Sequence, residues 1–370
     1  MAQSTQVKPL HALAIIVVAA SLIFAYLWGN DQLLEVGGPN QMRLDRDGNL
    51  YIHISGQLFK IDKNDSSVTQ TDLHQLGVFN LVGDFDFFAN GDVLIRQGHY
   101  DPSLVEGIRM YKRITDSSAP VSQQAGEGLV RCSLISFECR RFGDVDFNSA
   151  FHLSIDPNED TVYVSDTDRS VMRKYNSEGK QLAVKKVGFR FPNSNMLLEN
   201  QLLVADTNHH VIKFLDSSNE HFAEVLHSYA VNDAEFGFKN WVFSFAQVGS
   251  SWWVNNMANT MSYGLVGIFD DNFKFQRLLK LPRSADPNDI LQFNDTVYIS
   301  DLANNRIYQF DSEGHALDRT MPPVIEDYMA GLNTKRILYK SVKFVAIGLF
   351  VVLLIAGFMM AYLQKQGERE

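Results

Sequence analysis

The sequence predicts an all-β chain, a six-bladed β-propeller, flanked by N- and C-terminal transmembrane helices. Three observations carry this. A unit of strand, Asp, polar turn and strand recurs through the middle of the chain. No helical periodicity separates those strands, which excludes a βαβ arrangement. Each end carries a long uncharged apolar run.

The repeat is clearest in three stretches. Asp156–Tyr175 reads DPNEDTVYVSDTDRSVMRKY, Leu198–Phe214 reads LENQLLVADTNHHVIKF and Phe293–Phe310 reads FNDTVYISDLANNRIYQF. They align on Asp166, Asp206 and Asp301. Weaker copies lie at Asp45–Phe59, at Ala89–Gln97 with a partner strand near Ile108–Arg113, and at Gln247–Asn256 followed by Leu265–Phe269. Strand centres near 52, 94, 163, 203, 253 and 298 give a period of about 40–50 residues with one longer gap, the spacing of a four-stranded propeller blade. The long gap places an insertion at about 116–144, and the propeller runs over 36–320. A Pro-Asn pair opens three copies, at Pro39-Asn40, Pro192-Asn193 and Pro287-Asn288; Pro157-Asn158 falls out of step.

The ends predict membrane spans. Ala12–Trp28 holds no charge and has about the minimum length for a bilayer core of ~30 Å. A cleaved signal peptide is the other reading, but no small-x-small cleavage site follows Trp28, which favours an anchor. Phe344–Leu363 is an uncharged run of spanning length between Lys343 and Lys365. Residues 329–343 form a candidate amphipathic juxtamembrane helix, with short tails at 1–11 and 364–370. Lys and Arg flank both sides of the second span, so charge bias alone leaves orientation open.

Cys132 and Cys139 are the only cysteines. A hairpin turning near Leu134–Ser136 sets them opposite each other, a disulfide candidate that implies an oxidising compartment. The alternative is two reduced thiols in a small apolar cluster. Weighing these, the propeller is expected outside the cytoplasm, with both termini cytoplasmic. The net charge of −10 argues against a nucleic-acid partner, which needs a basic face.

VADTNHHVIKF and ISDLANNRIYQF resemble the NHL repeat family of six-bladed propellers, whose pattern is a strand, Asp-Thr-x-Asn-x-Arg-Ile, and a strand ending in an acidic turn. Asp166, Asp206, Asp301 and Arg306 fall on that pattern; Val171 and Val211 replace its Arg. Ile54, Gln97 and Asn256 stand where its Asp would be in the weaker blades. Related propellers include lactonases and esterases that hold a calcium-like ion in the channel with Glu, Asn and Asp. The resemblance therefore implies Asn193, Asn255, Asn288 and Asp289 as weak metal candidates, with Ca2+ relevant only under a hydrolase reading.

Recurrence of Asp at one phase in three blades points to a structural turn rather than catalysis. His209 and His210 occupy the polar turn of their blade: an exposed turn, or a binding site unique to it. Trp252, Trp253 and Asn255 form an aromatic, amide-rich stretch suited to a sugar or peptide, or to core packing. No complete catalytic constellation is present. The expected function is a non-catalytic binding or scaffold subunit of an envelope membrane complex, contacting the bilayer and other membrane or envelope proteins, without a cofactor. The alternatives are a metal-dependent lactonase- or esterase-like hydrolase and an extracytoplasmic ligand sensor.

Overall fold

A computed structural model describes residues 9–78, 84–97, 128–144, 152–167, 169–231, 241–258 and 263–367. Six antiparallel sheets follow one another along the chain. Blade 1 comprises β1 (Pro39–Leu44), β2 (Leu50–Ile54), β3 (Gln57–Ile61) and β4 (Val68–Asp72). Blade 2 comprises β5 (Phe85–Phe87), β6 (Val93–Gln97), β7 (Gly128–Cys132) and β8 (Cys139–Phe142). Blade 3 comprises β9 (His152–Ile155), β10 (Val162–Asp166), β11 (Val171–Tyr175) and β12 (Gln181–Lys185). Blade 4 comprises β13 (Pro192–Leu198), β14 (Gln201–Asp206), β15 (Val211–Asp216) and β16 (Val225–Ala230). Blade 5 comprises β17 (Trp241–Val248), β18 (Ser251–Met257), β19 (Gly264–Phe269) and β20 (Phe275–Leu278). Blade 6 comprises β21 (Pro287–Phe293), β22 (Thr296–Asp301) and β23 (Arg306–Phe310), with a single bridge from Phe310 to Ala316. The first strand of each blade neighbours those of the blades on either side, closing a ring.

Alternation along the strands explains the ring. Each sheet buries both faces between its neighbours, so its apolar residues join in clusters shared by adjacent blades. Phe85, Phe87 and Val93 meet Tyr51 and Leu58 of blade 1, while Phe88 and Phe142 meet Leu153 and Tyr175 of blade 3. Trp252 and Phe273 of blade 5 meet Phe214 of blade 4, and Trp253 packs with Val297, Ile299 and Phe310 of blade 6.

The cysteine hairpin differs from its expected place. Residues 128–144 are not part of an insertion: β7 and β8 are the third and fourth strands of blade 2. Cys132 and Cys139 face each other in register and form a disulfide. Its turn closes through Ser133 N donating to Glu138 O, with Phe137 left-handed at φ 58°. The strand expected near Ile108–Arg113 lies outside the described residues.

The Pro-Asn pairs have a physical reason. Pro39, Pro192 and Pro287 each open an innermost strand, opposite Ile54, Asp206 and Asp301. A bulge follows each Pro, because the register jumps from residue 39 to 42, 192 to 195 and 287 to 290. Proline is tolerated at a strand's first residue and at bulges, where no ladder donor is needed. Pro157 instead lies in the turn between β9 and β10, which is why it falls out of step.

The seam between blades 6 and 1 is closed from several sides. Ser300 Oγ donates to Asn40 O at 2.6 Å, and Met42 N donates to Asp289 Oδ2 at 2.8 Å. The start of helix α2 (Pro323–Gly367) crosses this seam: Asn305 Nδ2 donates to Met329 O at 2.7 Å, and Tyr328 OH donates to Ser55 O at 3.0 Å. Tyr328 also packs on Phe59, with ring centroids 5.3 Å apart. Gly38 lets the backbones meet, since a Cβ there would lie 2.5 Å from Leu302 O. Gly38→Ala is therefore expected to destabilise the protein by about 1–3 kcal/mol through overpacking. Gly37→Ala, whose Cβ would meet Ser55 Cα at an ordinary 3.8 Å, is expected to be near neutral in the same denaturant titration.

The described residues divide into two units, one holding the blades between Gly37 and Met329 and the other holding α1 (Pro9–Glu35) and α2 from Ala330 onward. Within the second, the helices run antiparallel where they touch. Trp28 packs edge-on against Tyr339 at 5.5 Å, Lys343 Nζ donates to Asn30 Oδ1 at 2.8 Å, and Arg336 Nε donates to Val36 O at 3.2 Å. Both helices are long and apolar enough to cross a membrane, and their apolar side chains are largely exposed. The juxtamembrane segment expected at 329–343 is not a separate helix; it is part of α2. Nothing in its sequence breaks the helix: no Pro occurs after Pro323, and Gly331 sits in open space.

Candidate functional site

The innermost strands of all six blades line a channel. Arg43, Asp86, Ser154, Asn195, Gln247 and Asp289 are among the residues around a cavity of about 290 Å³ within it, towards the ends of these strands. Its charged centre is built on Arg43. The guanidinium meets Asp84 Oδ2, Asp289 Oδ2 at 3.0 Å and Met42 O at 2.6 Å. Asp84 is wholly buried, Asp289 almost so, and Arg43 is only 15% exposed.

Two of the channel carboxylates also tie strands. Asp86 accepts from Phe87 N at 2.8 Å and, across the blade boundary, from Ile155 N at 2.7 Å. Asp289 does the same with Ile290 N at 3.0 Å and Met42 N. Burial pushes Asp86 up to about 6, opposed by Arg43 and the two backbone donors. Burial and Asp84 likewise hold Asp289 above the usual carboxylate range, against the pull of Arg43. For Arg43, burial disfavours the charge, but Asp84 and Asp289 outweigh it and keep the guanidinium ionised. His152 joins the group, its Nδ1 3.6 Å from Asp84 Oδ2 and its ring edge-on to Phe243 at 5.3 Å.

The aspartates of the repeat lie elsewhere, at the ends of second strands, and share one wiring. Asp166 binds Arg169 at 3.3 Å and Arg173 at 3.0 Å. Asp206 binds His209 at 2.7 Å and Lys213 at 2.5 Å, and accepts from Arg190 N at 2.8 Å. Asp301 binds Asn304 at 2.8 Å and Tyr308 at 2.9 Å. In every case the side-chain partners are the third and seventh residues after the Asp: the first lies in the turn, the second on the next strand. Arg306 faces Asp301 in register but is exposed, and the bonds to the carboxylate come from Asn304 and Tyr308.

Several expected site residues are placed differently. His209 is a turn partner of Asp206, and His210 caps that turn in a left-handed conformation at φ 60°. Trp252 and Trp253 do not offer a binding surface. They are 4% and 0% exposed and fill opposite faces of blade 5, because an extended strand turns consecutive side chains apart. Asn255 is wholly buried and donates to Pro287 O at 2.5 Å.

The weak metal candidates are engaged in bonds within the protein. Asn193 donates to Thr207 Oγ1 at 2.7 Å, Asn255 is held at the seam with blade 6, and Asn288 bonds Asn40. Asp289 pairs with Arg43 at 3.0 Å.

One further buried titratable group is His53. It is fully buried in β2, its Nε2 accepting from Gly56 N at 3.3 Å while its Nδ1 has no partner. Burial lowers it to about 4. Its folded value lies below its unfolded one, so stability falls as pH drops from about 6.5 towards 4. Asp86 has the opposite sign, so the two must be separated by substitution. Relative to His53→Gln, the wild-type protein is expected to lose about 2 kcal/mol between about pH 8 and pH 5, read from denaturant midpoints.

The ring of blades defines the class, a six-bladed β-propeller bearing two apolar helices. No protein-family profile matches the chain, and no curated protein matches its sequence. Among solved structures, its fold is similar to a catalytically inactive virginiamycin B lyase from Staphylococcus aureus with quinupristin (TM-score 0.50, 13% identity, 78% of this chain and 86% of that one). It is also similar to a Bacteroides caccae protein of unknown function (0.44, 14%, 66% and 81%) and to Kuenenia stuttgartiensis hydrazine synthase (0.47, 11%, 75% and 77%). Likeness at these identities speaks to fold alone.

Proposed function

We propose that this chain is a membrane-anchored propeller of the NHL-repeat type, acting as a non-catalytic binding or scaffold subunit of an envelope membrane complex. The observation that carries this reading is the commitment of its reactive-looking groups. Asp166, Asp206 and Asp301 are each bound inside their own blade, and Arg43 holds the channel carboxylates Asp84 and Asp289. What remains for function is the propeller's faces, which suit recognition. Its partners are the bilayer, reached through α1 and α2, and other membrane or envelope proteins; no cofactor is required.

The propeller lies outside the cytoplasm in this reading, with both termini inside. The Cys132–Cys139 disulfide supports it, because such bonds persist in oxidising compartments. Two assays test the reading. The full chain in detergent, offered lactones and esters with and without calcium, is expected to show no turnover above buffer; calcium-dependent hydrolysis would return the enzyme alternative. A membrane-impermeant thiol reagent on intact cells is expected to label Cys132 and Cys139 only after reduction. Free thiols reached only after lysis would place the propeller in the cytoplasm.

A further inference from the structure

A second cavity, of about 140 Å³, opens between blades 4 and 5 where their innermost strands begin. Phe191, Trp241, Phe243 and Met257 form its walls, with Asn193, Thr207 and Asn208 supplying polar atoms. Among the described residues, no charged side chain lines it. Phe243 is also the ring that packs on His152, so the cavity adjoins the channel lining.

Two features mark this cavity as built. Phe191 sits at φ 63°, a left-handed conformation that a bulky residue before proline rarely adopts. Its surroundings hold it there: Phe191 N donates to Ser170 Oγ at 3.0 Å, Thr207 N donates to Phe191 O at 3.3 Å, and Asn208 N donates to Arg190 O at 3.0 Å. Strain of this kind persists only where neighbouring structure fixes it, and it concentrates at functional sites. The second feature is the order beneath the cavity. Asn193 donates to Thr207 Oγ1, which donates to Val242 O at 2.7 Å, so the floor is fixed from both blades.

We propose that this cavity binds one uncharged aromatic ring bearing a single hydrogen-bonding group, a phenol-like ligand. Size sets the first limit: an apolar cavity of ~150 Å³ accommodates a benzene ring. The walls set the second, since aromatic rings and a thioether pair favourably with an aromatic guest. Charge sets the third, because the described lining offers no counter-charge to a desolvated ionised group. The half-buried Asn208 at the turn of blade 4 offers an amide to the ring's polar substituent. The site stands apart from the scaffold reading and survives its failure.

The test uses the full chain in detergent with methyl-13C methionine. The Met257 signal, identified by its loss in Met257→Leu, is expected to shift upfield and saturate as p-cresol is added. Benzoate and benzylamine, charged analogues of similar size, are expected to bind at least about tenfold more weakly. Asn208→Trp, which fills the mouth, is expected to abolish the shift while the remaining methionine signals keep their folded positions. If that variant fails to fold, the comparison of p-cresol with its charged analogues on the wild-type protein still decides. A parallel titration with N-acetyl-tyrosinamide separates the sources: binding of both compounds indicates a tyrosine side chain of a partner, and binding of p-cresol alone a free small molecule. A Met257 signal that never saturates, or that responds equally to the charged analogues, overturns the proposal.

Discussion

Arg43→Met is expected to lower the unfolding free energy by about 3–5 kcal/mol at neutral pH, the loss typical of breaking a buried ion pair from one side. Met fills a similar volume, so the effect isolates the charge. Without the guanidinium, Asp84, Asp86 and Asp289 remain as buried carboxylates held by backbone donors, with His152 Nδ1 3.6 Å from Asp84. Protonation then becomes their relief. Asp86 already stands at about 6 when folded, above its unfolded value, so the folded state binds the extra proton. A raised carboxylate contributes stability that is present at low pH and lost as pH rises through the folded value. The Arg43→Met deficit is therefore expected to be largest above about pH 7 and to shrink towards pH 5. Chemical denaturation at the two pH values, with Arg43→Met/Asp289→Asn as partial rescue, checks it. An equal deficit at both would show that Arg43 acts through packing alone.

Asp206→Ala is expected to cost about 3–5 kcal/mol as well, for a different reason. Asp206 is wholly buried, and its removal leaves the Lys213 ammonium, 11% exposed, without its carboxylate. It also strips the acceptor from Arg190 N, in the segment that leads into Phe191. His209→Ala should cost less than about 1 kcal/mol, since that side chain is 43% exposed and its bond to Asp206 is open to solvent. Thermal unfolding of Asp166→Ala, Asp206→Ala and Asp301→Ala side by side is the measurement. Comparable losses in all three fit a pin repeated in blades 3, 4 and 6. A variant that stays fully stable while losing a biochemical activity would make its Asp a site residue instead.

The propeller was legible because its repeat is written in local rules. Strand, Asp and turn recur at one phase, and even the partners of the Asp can be read at fixed spacing once the wiring is known. Proline positions announced the bulges of the innermost strands. The Trp252–Trp253 pair stayed open between binding and core packing because composition does not say which way a strand faces; both rings go inward, to different neighbours. The insertion was misjudged because β7 and β8 follow a long interval in sequence, and pairing across it has no local signature.

The channel centre was the least legible. Arg43 was not singled out, although a lone Arg in a strand otherwise mostly buried, PNQMRL, is the kind of residue that must find acids inside. Its partners come from blades 2 and 6, separated from it by 41 and 246 residues. Only closure of the ring brings them together. The cavity between blades 4 and 5 was hidden for the same reason, being assembled from turns and strand starts that are individually unremarkable.

The scaffold reading is tested most directly by purifying the intact chain from its native membranes in mild detergent and identifying what accompanies it. The account predicts one or more membrane proteins at fixed stoichiometry, retained through size-exclusion chromatography. Recovery of the chain alone, at its own mass, in every detergent that preserves its fold would contradict it.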